Sequence, residues 1–326
     1  VPTARCGPLV AAGAPIPVPS SPARAVASRL LTAFQVASSV ARRVPPPLLG
    51  PLARLGGTGA ALPDARRRLL VERNLRRADP SLSGMALRRA VNETFESYAA
   101  YWLEAFRLPT LTPAELDAGL TYEGYEHLER SLHRGQGTIL VLPHLGGWEW
   151  TGFWFTRVVG VPITAVVERL DPPELFDWFT EFRTSLGINV VPLGPDAGRE
   201  VLAALKRNDL VCLLSDRDID GSGIEVEFFG ERTTLPAGPA TLALRSGADL
   251  VPGAMYQRPH GGHHGYIRPP LPVERQGRLR EDVARITQDI AHDLEHLIRR
   301  EPTQWHLMSP NWPSDHEALE QAGLAE

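Results

Sequence analysis

The sequence predicts an α/β protein: a mixed, mostly parallel central sheet flanked by helices on both faces, with a helical N-terminal third. From about residue 120, short apolar runs alternate with longer segments of helical periodicity, which is typical of a sheet covered on both faces. Before that point, apolar residues recur mainly at helical spacing. The chain has 326 residues, 43% of them hydrophobic, which is enough for a large core.

The predicted organisation is a single domain between two tails. Residues 1–23 are rich in Pro and Ala and lack periodicity, which indicates an N-terminal tail. Residues 24–315 form the domain, with a helical part over 24–108 and an α/β part over 120–315. Residues 316–326 are expected to form a C-terminal tail.

Three helices are predicted in the N-terminal third, over 24–44, 64–77 and 81–107. The first ends at three consecutive prolines, and an apolar patch follows it. The leucines of that patch are Leu48, Leu49, Leu52 and Leu55. An Arg-containing amphipathic helix followed by an apolar loop can lie in a bilayer interface. A helix packed on the protein's own core explains the same stripe, and the two interpretations are compatible.

The remaining elements follow from apolar runs and helical spacing, and they alternate along the chain. Strands are predicted at 138–142, 163–167, 188–192, 210–215, 224–229, 250–256 and 264–268. Helices are predicted at 123–134, 147–157, 173–186, 196–207, 237–247 and 279–299.

His144 is the first candidate for catalysis. It follows the predicted buried strand 138–142, and in open α/β sheets ligands bind outside the carboxyl ends of strands. Glu149 lies five residues on, so a tight turn at two glycines would fold it back towards the imidazole. Such a carboxylate fixes the tautomer and leaves the other ring nitrogen as a base. Alternatively, Glu149 is a helix N-terminal carboxylate beside a solvated histidine.

The string Pro-His-Leu-Gly-Gly-Trp-Glu, from Pro143 to Glu149, resembles the H-x4-D/E motif of the glycerolipid acyltransferases. Flanking segments resemble the branch that contains bacterial lipid A late acyltransferases and actinobacterial phosphatidylinositol mannoside acyltransferases. These segments are Ala99–Pro109, Val211–Asp218, Glu225–Gly230 with Pro236–Pro239, and Gln304–His306. The resemblance covers roughly residues 24–315.

The resemblance implies transfer of a fatty acyl chain, palmitoyl in the first instance, from acyl-CoA to a mannose hydroxyl of a phosphatidylinositol mannoside. His144 would be the general base and Glu149 would orient it. Acyl-CoA is then a co-substrate, and neither a cofactor nor a metal is expected. The Gly-Trp-Glu of residues 147–149 departs from the Asn-Trp-Asp common in the mannoside branch, so lipid A-type acylation stays open as an alternative.

Substrate contacts are expected at the same sheet edge. Glu168 and Arg217 lie at strand ends and Arg183 on the helix between them; the resemblance makes all three candidates for the acceptor head or the donor phosphates. Glu227 shares one strand face with Glu225, a face turned either to a sheet edge or to the site. The resemblance favours the site for Glu227. Trp148 begins an aromatic cluster that can line the acyl groove.

Composition restricts the compartment and the partners. The net charge of −4 does not suggest a nucleic-acid partner, and Cys6 and Cys212 offer no disulfide framework or Cys-based zinc site. No run of 18 apolar residues is present, and prolines interrupt the start too often for a signal peptide. We therefore expect a cytoplasmic protein. The apolar stripe of residues 24–55, with the membrane-anchored acceptor that the resemblance implies, predicts that it lies peripherally on the anionic cytoplasmic face of the plasma membrane.

Two groups of histidines resemble metal-binding patterns. His292 and His296 match the H-x-x-E-H string of inverzincins, but both fall opposite the apolar stripe of their helix, which predicts a solvated face. The Gly-rich loop from His260 to His264 has at most adventitious metal affinity. Two other classes of function remain as alternatives to an acyltransferase: a catalytically inactive lipid-binding protein on the same fold, and a metallohydrolase.

Overall fold

The computed structural model describes residues 22–61, 63–259 and 261–325. Most of the predicted N-terminal tail, as well as Cys6 and His260, lies outside these ranges. The N-terminal third of the described chain is helical, as predicted. Its helices are α1 (Pro22–Ala41), α2 (Pro46–Ala61), α3 (Ala65–Ala78) and α4 (Gly84–Arg107).

The α/β part follows the predicted alternation of strands and helices. Its strands are β1 (Leu120–Glu123), β2 (Thr138–Leu142), β3 (Ile163–Val167), β4 (Ile188–Pro192), β5 (Leu210–Leu214), β6 (Ile224–Phe228), β7 (Glu231–Leu235), β8 (Asp249–Gln257) and β9 (His263–Ile267). Its helices are α5 (Pro113–Ala118), α6 (Tyr125–His133), α7 (Trp148–Trp154), α8 (Pro173–Ser185), α9 (Ala197–Lys206), α10 (Gly238–Ser246), α11 (Leu279–Arg300) and α12 (Pro313–Gln321).

The described strands form a seven-stranded sheet in the order β1-β9-β8-β2-β5-β3-β4, and β6 and β7 form a separate hairpin. Strands β8, β2, β5, β3 and β4 run parallel to one another, whereas β9 runs antiparallel to β8 and β1 runs parallel to β9. The predicted mixed, mostly parallel sheet is therefore confirmed. It places the carboxyl ends of β2, β5 and β3 side by side.

Strand β2 is buried over its whole length, because helices cover both faces of the sheet. Ile139 and Val141 pack into a core with α9, α10 and α11. Leu140 and Leu142 point to the opposite face and pack against α6, α7 and α8. The successive side chains of β2 alternate between two cores. The loop that follows β2 therefore starts from a firmly held strand.

Several elements differ from the sequence prediction. The apolar patch at 48–55 is not a loop but part of α2, in which Gly57 lies so close to α4 that a Cβ would sit 2.6 Å from the backbone of Glu96. The predicted C-terminal tail begins inside α12, where Leu319 is buried. Strands β1 and β7 were not predicted, because β1 is short and mostly exposed and β7 carries several polar residues.

Candidate active site

Three polar side chains meet where β2, β5 and β3 end. His144 follows β2, Asp216 follows β5 and Glu168 follows β3. The strand order makes these ends adjacent, so residues far apart in sequence come together at one edge. Pro143 separates the last residue of β2 from His144, whose ring remains about a third exposed. The structure thus brings together His144 and Glu168, which the sequence assigned to one sheet edge, and adds Asp216 between them in the strand order.

His144 is held by Asp216. The imidazole Nδ1 lies 2.6 Å from Asp216 Oδ1, and the backbone N–H of His144 donates to Asp216 Oδ2 over 3.0 Å. Because Nδ1–H donates to a carboxylate, the lone pair of the neutral ring is on Nε2. This is the arrangement of a base whose second nitrogen is available to a substrate.

Asp216 is itself fixed on all sides. It is fully buried, and the indole N–H of Trp305 donates to its Oδ2 over 2.7 Å. The side-chain amide of Asn311 donates to its backbone carbonyl over 3.1 Å. Burial raises the pKa of Asp216, but the charge and hydrogen bonds of His144 and the Trp305 bond outweigh it, so the net pKa lies below its usual value. Asp216 is therefore a carboxylate.

The electrostatics of His144 favour a charged ring. Burial lowers the pKa of His144, but the adjacent Asp216 charge and hydrogen bond outweigh burial and raise it above its ordinary value. Arg217 opposes this rise and Glu168 supports it. The ring can accept a proton readily and is stabilised once it has done so.

The segment 304–306 holds the turn that carries His144. Gly146 N–H donates to the Gln304 carbonyl over 3.1 Å, and His306 N–H donates to the His144 carbonyl over 2.7 Å. Gly146 has φ +59°, and a Cβ there would overlap the Met255 carbonyl oxygen. Only glycine fits at this position.

Glu149 does not contact His144, so the predicted pairing of these two residues is wrong. Its Oε1 accepts a hydrogen bond from Tyr101 over 2.7 Å and from Arg183 Nη2 over 3.1 Å. Within the described chain its buried Oε2 has no hydrogen-bond partner. The first turn of α7 directs Glu149 towards α4 and α8, whereas Asp216 already occupies Nδ1 of the imidazole.

Arg183 lies with Glu149 and Tyr101, and not at the ends of β2, β5 and β3. Besides binding Glu149, its guanidinium lies 5.1 Å from the ring centroid of Trp148 and 5.7 Å from that of Phe179. The side chain is only 14% exposed. Tyr101 is buried as well, and burial followed by the Glu149 charge raises its pKa well above the usual value, so its hydroxyl remains a donor.

Of the other predicted substrate residues, two lie near His144 and one does not. Arg217 and Glu168 form an ion pair of 3.1 Å, and the charges of both act on His144. Glu227 lies on the exposed face of β6, where its backbone N–H and carbonyl bond to Gln288 of α11. Within the described residues, Glu227 therefore bonds to α11 and not to the residues around His144.

A narrow apolar cavity lies between α7 and the sheet. Its lining residues include Trp148 and Phe155, both from the predicted aromatic wall, together with Leu142, Cys212 and Ile267. Burial raises the pKa of Cys212 to about 12, so its thiol remains protonated. The lining is apolar, but in this conformation the cavity is too small to hold a fatty acyl chain. Its cysteine is a poor nucleophile.

The histidines of the H-x-x-E-H string do not form a site. His292 is exposed on α11 and bonds to Gln288, while His296 packs near the ring of Tyr266. Among the residues that the structure describes, no group of three potential ligands is placed to hold a metal ion.

Sequence reasoning missed Asp216, Trp305, Tyr101 and His306 as site residues. The signals were present, because Asp216 closes a predicted strand and the other three lie in segments that carry the family resemblance. Which residue of the run Ser215–Asp218 turns towards His144 depends on the backbone after β5. That is a tertiary property which local pattern does not reveal.

The comparison with known proteins agrees with this geometry. A family model described as bacterial lipid A biosynthesis acyltransferase matches residues 24–314, which is most of the chain. The chain belongs to this acyltransferase family.

Two mycobacterial relatives of this acyltransferase carry the name phosphatidylinositol mannoside acyltransferase. The one from Mycobacterium tuberculosis is 39% identical over 236 residues, covering 71% of this chain and 72% of the relative. The one from Mycolicibacterium smegmatis is 40% identical over 229 residues, covering 69% and 73% respectively. Within the family, the chain therefore falls in the branch of lipid A and phosphatidylinositol mannoside acyltransferases.

Proposed function

We propose that this acyltransferase transfers a palmitoyl chain from acyl-CoA to a mannose hydroxyl of a phosphatidylinositol mannoside. The observation that carries the proposal is the imidazole of His144, fixed through Nδ1 to a buried carboxylate at the carboxyl end of β2. The acceptor is suggested by the names of the relatives. The donor and the chain length rest on the family resemblance.

In the proposed reaction, Nε2 of His144 removes the proton of the acceptor hydroxyl while its oxygen attacks the thioester carbonyl. The new C–O bond forms and a tetrahedral oxyanion develops. When the C–S bond breaks, the imidazolium returns the proton to the leaving thiolate. Asp216 stabilises the imidazolium through its charge and through Nδ1. The proton taken from the acceptor hydroxyl ends on the released thiol, and no covalent enzyme intermediate forms.

Two features support direct transfer. Cys212 remains a neutral thiol because burial raises its pKa to about 12. Both proton transfers of the proposed reaction are also accounted for by one base and its carboxylate. The proposal needs acyl-CoA as co-substrate and no further cofactor.

The apolar side chains near His144 suit the acyl chain of the donor, and the charged ones suit the polar groups of the substrates. The acyl chain would lie along the apolar side chains beside Trp148 and Phe155, where the cavity must widen to hold it. Arg217 would face phosphate or sugar oxygens, with Glu168 setting its direction through their ion pair. Arg183 would act on substrate only through Trp148 and Glu149, since its guanidinium is held by them.

Thiol release from palmitoyl-CoA by the full chain, with phosphatidylinositol mannoside in vesicles, tests the proposal. We expect release together with a palmitoylated acceptor detected by mass spectrometry. His144→Ala should lower the rate by about 10² or more, the usual scale for losing a general base. Its thermal unfolding midpoint should also fall, because Asp216 is left buried without its imidazole partner, so circular dichroism is needed to show that the variant is folded.

Three other results would redirect the assignment. Acylation of a lipid A precursor in preference to the mannoside would favour the lipid A-type reaction, which the family description also names. Binding of palmitoyl-CoA without thiol release would indicate an inactive lipid-binding protein. Equal rates for the parental protein and a folded His144→Ala would remove His144 from the mechanism.

We further propose that α1 and α2 attach the protein to an anionic membrane surface on the cytoplasmic side. Within the described residues, no helix has both the length and the apolar character needed to cross a bilayer. Among the side chains of α1 and α2 that the structure describes, five large apolar ones are nevertheless exposed: Val36 (56%), Val40 (54%), Leu48 (52%), Leu52 (40%) and Leu55 (74%). Phe34 instead packs on Trp102 and Phe179, so α1 has both a core face and an apolar outer face.

Vesicle co-sedimentation tests this attachment. Leu48→Asp/Leu55→Asp should weaken binding of the full chain to phosphatidylinositol-containing vesicles about tenfold or more, because two leucines lose their apolar contact. Met85→Asp/Leu279→Asp is the matched control, since it charges two exposed apolar residues outside α1 and α2. An equal loss in both variants, or no binding by the parental protein, would contradict attachment through α1 and α2.

A further inference from the structure

A second imidazole lies beside His144. The backbone N–H of His306 donates to the His144 carbonyl over 2.7 Å, and the half-buried ring packs near Tyr98 and Tyr101, at centroid distances of 5.3 and 5.7 Å. Burial, with a smaller contribution from the His144 charge, lowers the pKa of His306 to about 3. The ring is therefore neutral at physiological pH, with one N–H group and one lone pair.

The hydrogen bonds around Ser97 decide which nitrogen of His306 carries the proton. His306 Nε2 lies 2.9 Å from Ser97 Oγ, and that hydroxyl donates its only proton to Gln257 Oε1 over 3.0 Å. Ser97 must then accept from His306. The ring is fixed as the Nε2–H tautomer.

The orientation of Gln257 supports this assignment. Its Nε2 faces the Ser97 carbonyl and Glu104 Oε2, each at 3.5 Å, and both are pure acceptors. Turning the amide round would place its oxygen against these two oxygens, which electrostatic repulsion disfavours. A directed chain of donors thus runs from His306 through Ser97 and Gln257.

The unprotonated Nδ1 of His306 consequently presents a lone pair. No side chain or backbone group in the described part of the chain donates to it, and the hydroxyl of neighbouring Tyr101 is committed to Glu149. A nitrogen in this state recognises a hydrogen-bond donor. The reacting part of an acyl thioester offers only a carbonyl oxygen and a sulfur, so the donor lies on the other substrate.

We infer that His306 Nδ1 accepts a hydrogen bond from a second hydroxyl of the acceptor, next to the hydroxyl that His144 deprotonates. The inference rests on the proposed function and narrows its acceptor to a polyol with neighbouring hydroxyls, such as a hexose. His306 is then a substrate-binding residue. Ser97 and Gln257 are positioning residues that act by fixing its tautomer.

Alkyl mannosides and their monodeoxy analogues test this pairing in the full chain with palmitoyl-CoA. In His306→Gln, the glutamine Nε2 can still donate to Ser97, but no acceptor remains at the Nδ1 position. Removing the recognised hydroxyl should lower kcat/KM of the parental protein about tenfold, the usual scale for one hydrogen bond. His306→Gln should show that loss with the complete mannoside and no further loss with the same deoxy analogue.

Controls separate this inference from the proposed function. His292→Gln, which changes an exposed histidine of α11, should keep the parental deoxy pattern. If His306→Gln also keeps the parental pattern, or if no deoxy analogue that retains the reacting hydroxyl lowers the parental rate, the hydrogen bond does not exist although the acyltransferase assignment stands. If the parental protein neither releases thiol nor acylates any mannoside, the proposed function fails, and this inference with it.

NMR of the full chain with isotope-labelled histidine gives a readout that does not depend on activity. The ring signals of His306 are identified by their loss in His306→Gln. We expect a neutral Nε2–H tautomer near neutral pH, and in Ser97→Ala a mixture of both tautomers. A protonated Nδ1 in the parental protein would overturn the inference, even if His306→Gln should prove too unstable for kinetics.

Discussion

Two buried carboxylates lie close to the turn after β2, and their surroundings differ. Asp216 is fully buried, both of its oxygens accept hydrogen bonds, and one of them binds the His144 ring. Glu149 is 2% exposed, binds Tyr101 and Arg183 through one oxygen and has an unbonded second oxygen. Glu149 is nearer to His144 in sequence, but Asp216 is the one that contacts it.

The difference shows what each carboxylate can do. Asp216 changes its interaction energy when His144 takes up a proton, so it can stabilise a state that exists only during the reaction. Glu149 neutralises a guanidinium that is always charged, so its contribution is the same before and during the reaction. We therefore expect Asp216 to affect rate and Glu149 to affect stability.

The largest effect is expected for Asp216→Asn. Asparagine preserves the size of the side chain but cannot balance an imidazolium, and its amide can leave the ring in the wrong tautomer. We expect turnover to fall about 10²-fold or more, measured as thiol release. If a folded Asp216→Asn variant releases thiol at the parental rate, Asp216 does not support catalysis, and the expected difference from Glu149 is wrong.

The second-largest effect is expected in the pH dependence of the acyl-transfer rate. The general base must be neutral, so the rate should rise with pH through the His144 pKa, which Asp216 holds above its ordinary value against the opposing effect of burial. In Asp216→Asn that support is lost and the midpoint should move to lower pH. Glu149→Gln should leave the midpoint in place, and a shared shift would mean that both carboxylates act on His144.

The smallest effect on rate is expected for Glu149. Glu149→Gln keeps a group that can accept from Tyr101 but leaves the Arg183 charge unbalanced in a buried site. We expect the rate to stay within about threefold, while the free energy of unfolding falls by about 3 kcal/mol, measured by urea denaturation. Arg183→Met combined with Glu149→Gln should recover part of that loss, because no buried charge is then unpaired.

The contrast between local and distant information also explains what the sequence could predict. Strands β2, β3 and β4 have the predicted bounds, because each is a short apolar run between clear breaks. His144 could be located because a strand, a proline and a glycine turn surround it. The elements that were missed or misread, such as β1 and α2, are those in which burial is partial or in which a proline lies inside the helix.

The partners of His144 could not be predicted in the same way. Asp216 is 72 residues away along the chain, and the Trp305 that orients it is a further 89 residues away. Neighbouring strands β2 and β5 bring them together, and nothing in the local pattern of either segment encodes that pairing. Glu149 satisfied every local criterion, but α7 starts in a direction that points its side chain at α4 and α8.

The position of Trp305 and Asn311 has a consequence for synthesis on the ribosome. The sheet strands β2, β5 and β8 all precede residue 258, so the scaffold can assemble while the later segment is still inside the exit tunnel. The two groups that fix Asp216 arrive only afterwards, and so does the strand-like contact of Gln304 with the Gly146 turn. A nascent chain that has folded its sheet would thus be inactive until this segment has left the tunnel and docked on Asp216.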